Sequence, residues 1–100
     1  MITAFVQIKL NIPIPREEVT TAFEASAPNY KGIRGLLRKY YLYDGIDRVG
    51  GFYVWKDKAT AEAVHTRTWL ENVGDRYGAK AEISYFEVPL VVDNTPKQDY

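Results

Sequence analysis

Cysteine is absent from this 100-residue chain, which removes disulfides, thiolate nucleophiles, cysteine-ligated zinc and iron–sulfur clusters together. It fits a reducing cytoplasm, the expected compartment. Histidine occurs once, so a metal site would depend on carboxylates, and none of these shows a ligand-like spacing. No metal and no organic cofactor is expected. Excess charge is missing too: 13 basic residues balance 13 acidic ones. Such a chain has no global field to hold a polyanion. Long apolar runs are lacking, and nothing approaches the roughly 18 residues of a membrane span. The first apolar stretch, from Ile2 to Ile14, is interrupted by Gln7 and Lys9 and has no basic segment before it, unlike a signal peptide.

What is abundant is aromatic. Phe, Trp and Tyr make up 14% of the chain, eight of them Tyr, and that excess needs somewhere to pack. The length suits one domain with one modest core.

Thr3 to Leu10 alternates, with Val6, Ile8 and Leu10 opposed to Gln7 and Lys9, which predicts a half-buried strand. Pro13 and Pro15 stop it. Pro15 can open a helix whose first turn carries Glu17 and Glu18 and whose apolar stripe is Val19, Ala22, Phe23 and Ser26, ending before Pro28. A second strand, Leu36 to Tyr43, and a third, Val49 to Trp55, flank a turn begun by Asp44-Gly45. Asp57 is a plausible N-cap for a second helix, which continues, or restarts after a bend, to about Tyr77, where Gly78 ends it. The last strand is expected from Ala81 to about Val91. The βαββαβ order predicts an α+β ferredoxin-like sandwich over residues 1–92: a four-stranded antiparallel sheet with both helices on one face. Residues 93–100 form a polar tail.

Both faces of this sheet are apolar. Phe52 and Val54 oppose Tyr53 and Trp55; Ile83 and Tyr85 oppose Phe86 and Val88; Tyr40 and Leu42 oppose Leu37, Tyr41 and Tyr43. Helices cover one face, so the other is expected to meet a second copy of the chain, sheet to sheet. Single-stranded RNA is a rival cover, because the RNA-recognition motif shares this topology. Its third-strand signature fails here: Arg48, Gly51 and Phe52 match, but Gly50 stands where a base-stacking aromatic is required. No nucleic-acid partner and no membrane partner is expected.

The run Gly50-Gly51-Phe52-Tyr53-Val54-Trp55-Lys56-Asp57-Lys58-Ala59-Thr60-Ala61 resembles the YdhR-type monooxygenase family, small proteins of the dimeric α/β-barrel superfamily related to antibiotic-biosynthesis monooxygenases. Gly35, Leu36 and Lys39 also match the approach to the second strand in that family, while Arg34 replaces its proline. The resemblance implies a homodimer with facing sheets. It further implies kinship with cofactor-independent oxygenases that oxidise polycyclic phenols.

Such chemistry needs an electron-rich aromatic held dry beside dioxygen, with a group that takes or shares its proton. His65 titrates in the useful range and is the candidate catalytic base, one helical turn from Trp69. Trp69, Tyr53, Trp55 and Tyr85 are candidates to line a flat apolar pocket for a small aromatic molecule. The alternative is a non-catalytic ligand-binding or assembly domain of the same fold.

Overall fold

The computed structural model describes residues 1–96. Strand β1 (Ile2–Lys9) leads to helix α1 (Arg16–Ser26) and a 3-10 turn, Ala27–Asn29. Strands β2 (Leu36–Tyr43) and β3 (Arg48–Trp55) follow, then helices α2 (Lys58–Val64) and α3 (Arg67–Tyr77), and finally strand β4 (Ala81–Glu87). The strands form one antiparallel sheet in the order β2-β3-β1-β4. This is the ferredoxin-like fold expected from the sequence. The sheet is open; one chain does not close it into a barrel.

The core lies on the helical face. Ala4 pairs with Tyr53, Val6 with Gly51 and Ile8 with Val49, and these inward positions are buried together with Trp55, Val19 of α1 and Ala61 of α2. Their neighbours in sequence, Phe5, Phe52 and Val54, look the other way and are only half-buried.

Local chemistry sets the boundaries. At the β2–β3 turn the Asp44 carboxylate accepts from the backbone N–H groups of Ile46, Asp47 and Arg48 at 2.8, 2.9 and 3.0 Å. Asp57 caps α2, its Oδ1 accepting from the Thr60 backbone N–H at 2.9 Å. The chain restarts rather than continues after α2. Thr66 turns extended and caps α3 by accepting the Trp69 N–H at 3.1 Å, leaving His65 at the C-cap of α2. Gly78 closes α3 in the left-handed region, at φ 66°.

Two expectations need correction. β4 ends at Glu87, short of Val91, because after the Val88 N–H bonds to the Met1 carbonyl, Pro89 has no N–H with which to extend the ladder. Leu37 does not share a face with Tyr41 and Tyr43; a bulge between Leu36 and Arg38 turns it outward, 56% exposed. Gly50 and Gly51 lie within β3, paired to β1 and β2 on both sides. Residues 88–96 adopt no regular structure, and the remainder of the expected tail, 97–100, lies outside the described residues.

Candidate active site

Between α1, α3 and the sheet is a cavity of about 120 Å³. Gly50, Gly51 and Tyr53 of β3 form its floor, Phe23 and Ser26 of α1 one wall, and Val73, Arg76 and Tyr77 of α3 the other. The glycines matter: a Cβ on Gly51 would come within 2.8 Å of the Tyr53 ring. Alternation along β2 sends Lys39 and Tyr41 into this space, and Tyr30, after the 3-10 turn, closes it.

The Lys39 ammonium is ringed by phenol faces. Nζ lies 3.5 Å from the ring centroid of Tyr30, 3.9 Å from that of Tyr41 and 4.8 Å from that of Tyr53. Burial, with the Arg76 charge second, lowers its pKa to about 7. Burial raises Tyr41, Tyr53 and Tyr77 instead, so these phenols keep their protons at neutral pH. The Tyr41 and Ser26 hydroxyls are hydrogen-bonded to each other. Two cations and no carboxylate line the cavity, so it favours negative charge.

The five residues expected from the sequence assemble into one aromatic cluster, mostly behind this cavity. Tyr53 alone lines it. Its ring meets His65 edge-on at 4.5 Å and Trp69 at 5.9 Å, and stacks at 6.4 Å with Trp55. Trp69 donates its indole N–H to the Tyr30 hydroxyl at 3.1 Å, tying the cluster to the cage around Lys39. Tyr85 stands at the periphery, 6.4 Å from His65. His65 is buried, and its Nε2 accepts the Trp55 indole N–H at 3.0 Å. This bond places the remaining ring proton on Nδ1, which has no partner. Burial, reinforced by the Lys39 charge, lowers His65 to about 4. The imidazole is thus neutral with its lone pair engaged, and it does not line the cavity.

Lys39, Arg76 and Tyr30 are the residues sequence reasoning passed over. Lys39 carried a usable signal: it shares its parity on β2 with Tyr41 and Tyr43, a cation amid inward-facing aromatics. By charge alone it falls in a small basic cluster with Lys31, Arg34 and Arg38. Among the described residues no group of three or more His, Cys, Asp or Glu side chains could hold a metal. No described helix is long and apolar enough to cross a membrane.

The chain matches no family model and no curated protein. Solved structures do share its fold. SnoaB, a cofactor-independent oxygenase from Streptomyces nogalater, superposes with TM-score 0.64 at 16% identity, over 91% of this chain and 95% of its own. A dimeric ferredoxin-like protein from an uncultured marine organism gives 0.62 at 25% identity, over 91% and 97%. A monooxygenase of Streptomyces coelicolor, solved with nanaomycin D, gives 0.68 at 8% identity, over 94% and 92%. What these structures share with this chain is the ferredoxin-like fold.

Proposed function

We propose that this protein is a cofactor-independent monooxygenase of the YdhR type, acting as a homodimer on a phenolic aromatic held between helices and sheet. The observation that carries this reading is the cavity itself, with one titratable lysine ringed by tyrosines in a fold shared with oxygenases. The atom balance needs no added reductant: a phenol and dioxygen give a quinone and water, the substrate supplying the electrons. In this reading Tyr53 meets the substrate ring, while Trp69 and Trp55 support it from behind. His65 acts through Trp55 and Tyr53 rather than at the reacting atoms, and Tyr85 backs His65. The homodimer rests on the open sheet face, where Phe5, Tyr40 and Phe52 form a contiguous aromatic patch and Tyr40 and Phe86 are exposed.

The test is oxygen uptake by metal- and flavin-free protein across a panel of single-ring phenols, dihydroxynaphthalenes and anthrones. Uptake coupled to quinone formation is the expected result. A second reading, a non-catalytic binding domain, draws support from the engaged lone pair of His65. Ligand binding without any uptake across the panel would establish it instead.

A further inference from the structure

The phenolic reading leaves open how large the ligand is and in what charge state it binds, and the cavity bears on both. Its volume is about 120 Å³. An apolar cavity of roughly 150 Å³ accommodates one benzene ring, so this space is of single-ring size and a fused second ring would have to displace its lining. The polar groups converge on one end. Lys39 faces Arg76 and Tyr77 from α3, Ser26 from α1, Tyr41 beside it on β2, Tyr53 from β3, and Tyr30 from the loop after α1. His65 lies behind Tyr53. Among the described residues neither Lys39 nor Arg76 has a carboxylate partner. Lys39 is half-buried and Arg76, itself exposed, brings its positive charge to the rim of the same space.

We infer that the cavity takes a single-ring phenol bound as its phenolate, with the phenol proton transferred to Lys39 Nζ and Arg76 as the second positive group. This deepens the phenolic reading and rests on it. Atoms and charge balance: the phenol O–H breaks, an N–H forms, and neutral amine plus phenol become ammonium plus phenolate. The ring stacks among Tyr53 and Phe23, and the oxygen points to the lysine. Because Lys39 is close to half-protonated at neutral pH, it can either accept this proton or already carry the charge. A quinone product has no phenolic proton to give and makes no ion pair, so it leaves more readily than the substrate binds.

The test uses para-nitrophenol, whose phenolate absorbs in the visible, added to the intact protein without oxygen. The wild-type protein is expected to bind it and to strengthen the phenolate band below the free phenol's pKa. A nitronaphthol of the same acidity is expected to bind roughly tenfold or more weakly, since its second ring overfills the cavity and strains the lining side chains. Lys39→Met is expected to weaken nitrophenol binding roughly 30-fold and to abolish the band shift, with circular dichroism reporting its folding. Arg76→Gln is expected to weaken binding without abolishing the shift. Equal affinity for one and two rings, or a bound wild-type spectrum of the neutral phenol, overturns the inference whether or not the Lys39 variant folds. The two failures separate cleanly. Ionised nitrophenol binding with no oxygen uptake sinks the oxygenase reading alone; uptake with naphthols and anthrones only sinks the single-ring inference alone.

Discussion

The indole N–H of Trp55, at the end of β3, and the Nε2 of His65, at the break between α2 and α3, meet at 3.0 Å. Trp55 is 0% exposed and needs an acceptor inside the core. The break supplies one: where α2 ends and Thr66 starts α3, the imidazole turns inward rather than along a helix face. A bond that satisfies a tryptophan at the same time occupies the lone pair a base would use.

Acid should unfold this protein through that histidine. In the native state burial and the Lys39 charge hold His65 at about 4, against an ordinary value of 6.5. The unfolded chain therefore takes up a proton that the folded chain does not. Stability is expected to fall by about 2–3 kcal/mol as the pH drops from 6.5 towards 4. His65→Phe should remove this component of the slope, and at neutral pH it should cost about 1–3 kcal/mol because the indole N–H loses its acceptor. Urea unfolding across the pH range gives both numbers, and a slope unchanged in the variant contradicts the assignment.

Lys39 acts in a different window. Burial and then Arg76 lower it to about 7, so above that pH the native amine is neutral while the unfolded chain keeps its proton to roughly 10. The unfolded state binds more protons there, so stability should rise with pH between these values. Thermal unfolding of Lys39→Met should show a flatter profile than wild type over that interval. A parallel pair of curves would mean the amine titrates normally.

Gly50 and Gly51 should respond differently to alanine. A Cβ on Gly50 would lie 2.0 Å from the Val6 carbonyl oxygen, a backbone atom in the neighbouring central strand. Roughly 3–5 kcal/mol of destabilisation is expected, visible as a low melting temperature. The atoms nearest a Cβ on Gly51 all belong to the Tyr53 side chain rather than to backbone, so about 1–3 kcal/mol is expected, together with weaker ligand binding as the cavity shrinks.

Phe52 sits at the middle of the open face, edge to face with Phe5 at 6.1 Å and beside Tyr40 at 6.5 Å. Phe52→Glu should shift the proposed dimer towards monomer, weakening association roughly 30-fold or more. Light scattering against concentration measures it. Wild-type protein that is monomeric at micromolar concentration removes the premise.

The strands were legible because alternation is a local signal, and β1 to β3 fall within a residue or so of the positions read from sequence. The bulge at Leu37 was not, since nothing within β2 announces the extra residue; its cause lies in matching Leu36 to Trp55 and Arg38 to Val54 on β3. The pairing of His65 with Trp69 was expected from a four-residue helical step. Their rings do meet, at 4.4 Å, but from the C-cap of one helix and the first turn of the next. Of the cage around Lys39, spacing along β2 placed only Tyr41 on the same face; the rest could not be read from it. The cage draws Tyr30, Tyr41, Tyr53 and Arg76 from four separate segments, and only the tertiary packing brings them together.

The strand order β2-β3-β1-β4 carries a consequence for how the chain is made. β2 and β3 are joined by a tight turn and form a hairpin from adjacent sequence, able to close as soon as both have left the ribosome. β1 emerges first yet pairs only with β3 and β4, so the strand with the most buried residues waits longest for partners. Until its partners follow, the apolar face of β1 has nothing to pack against, and the sheet is completed only when β4 arrives.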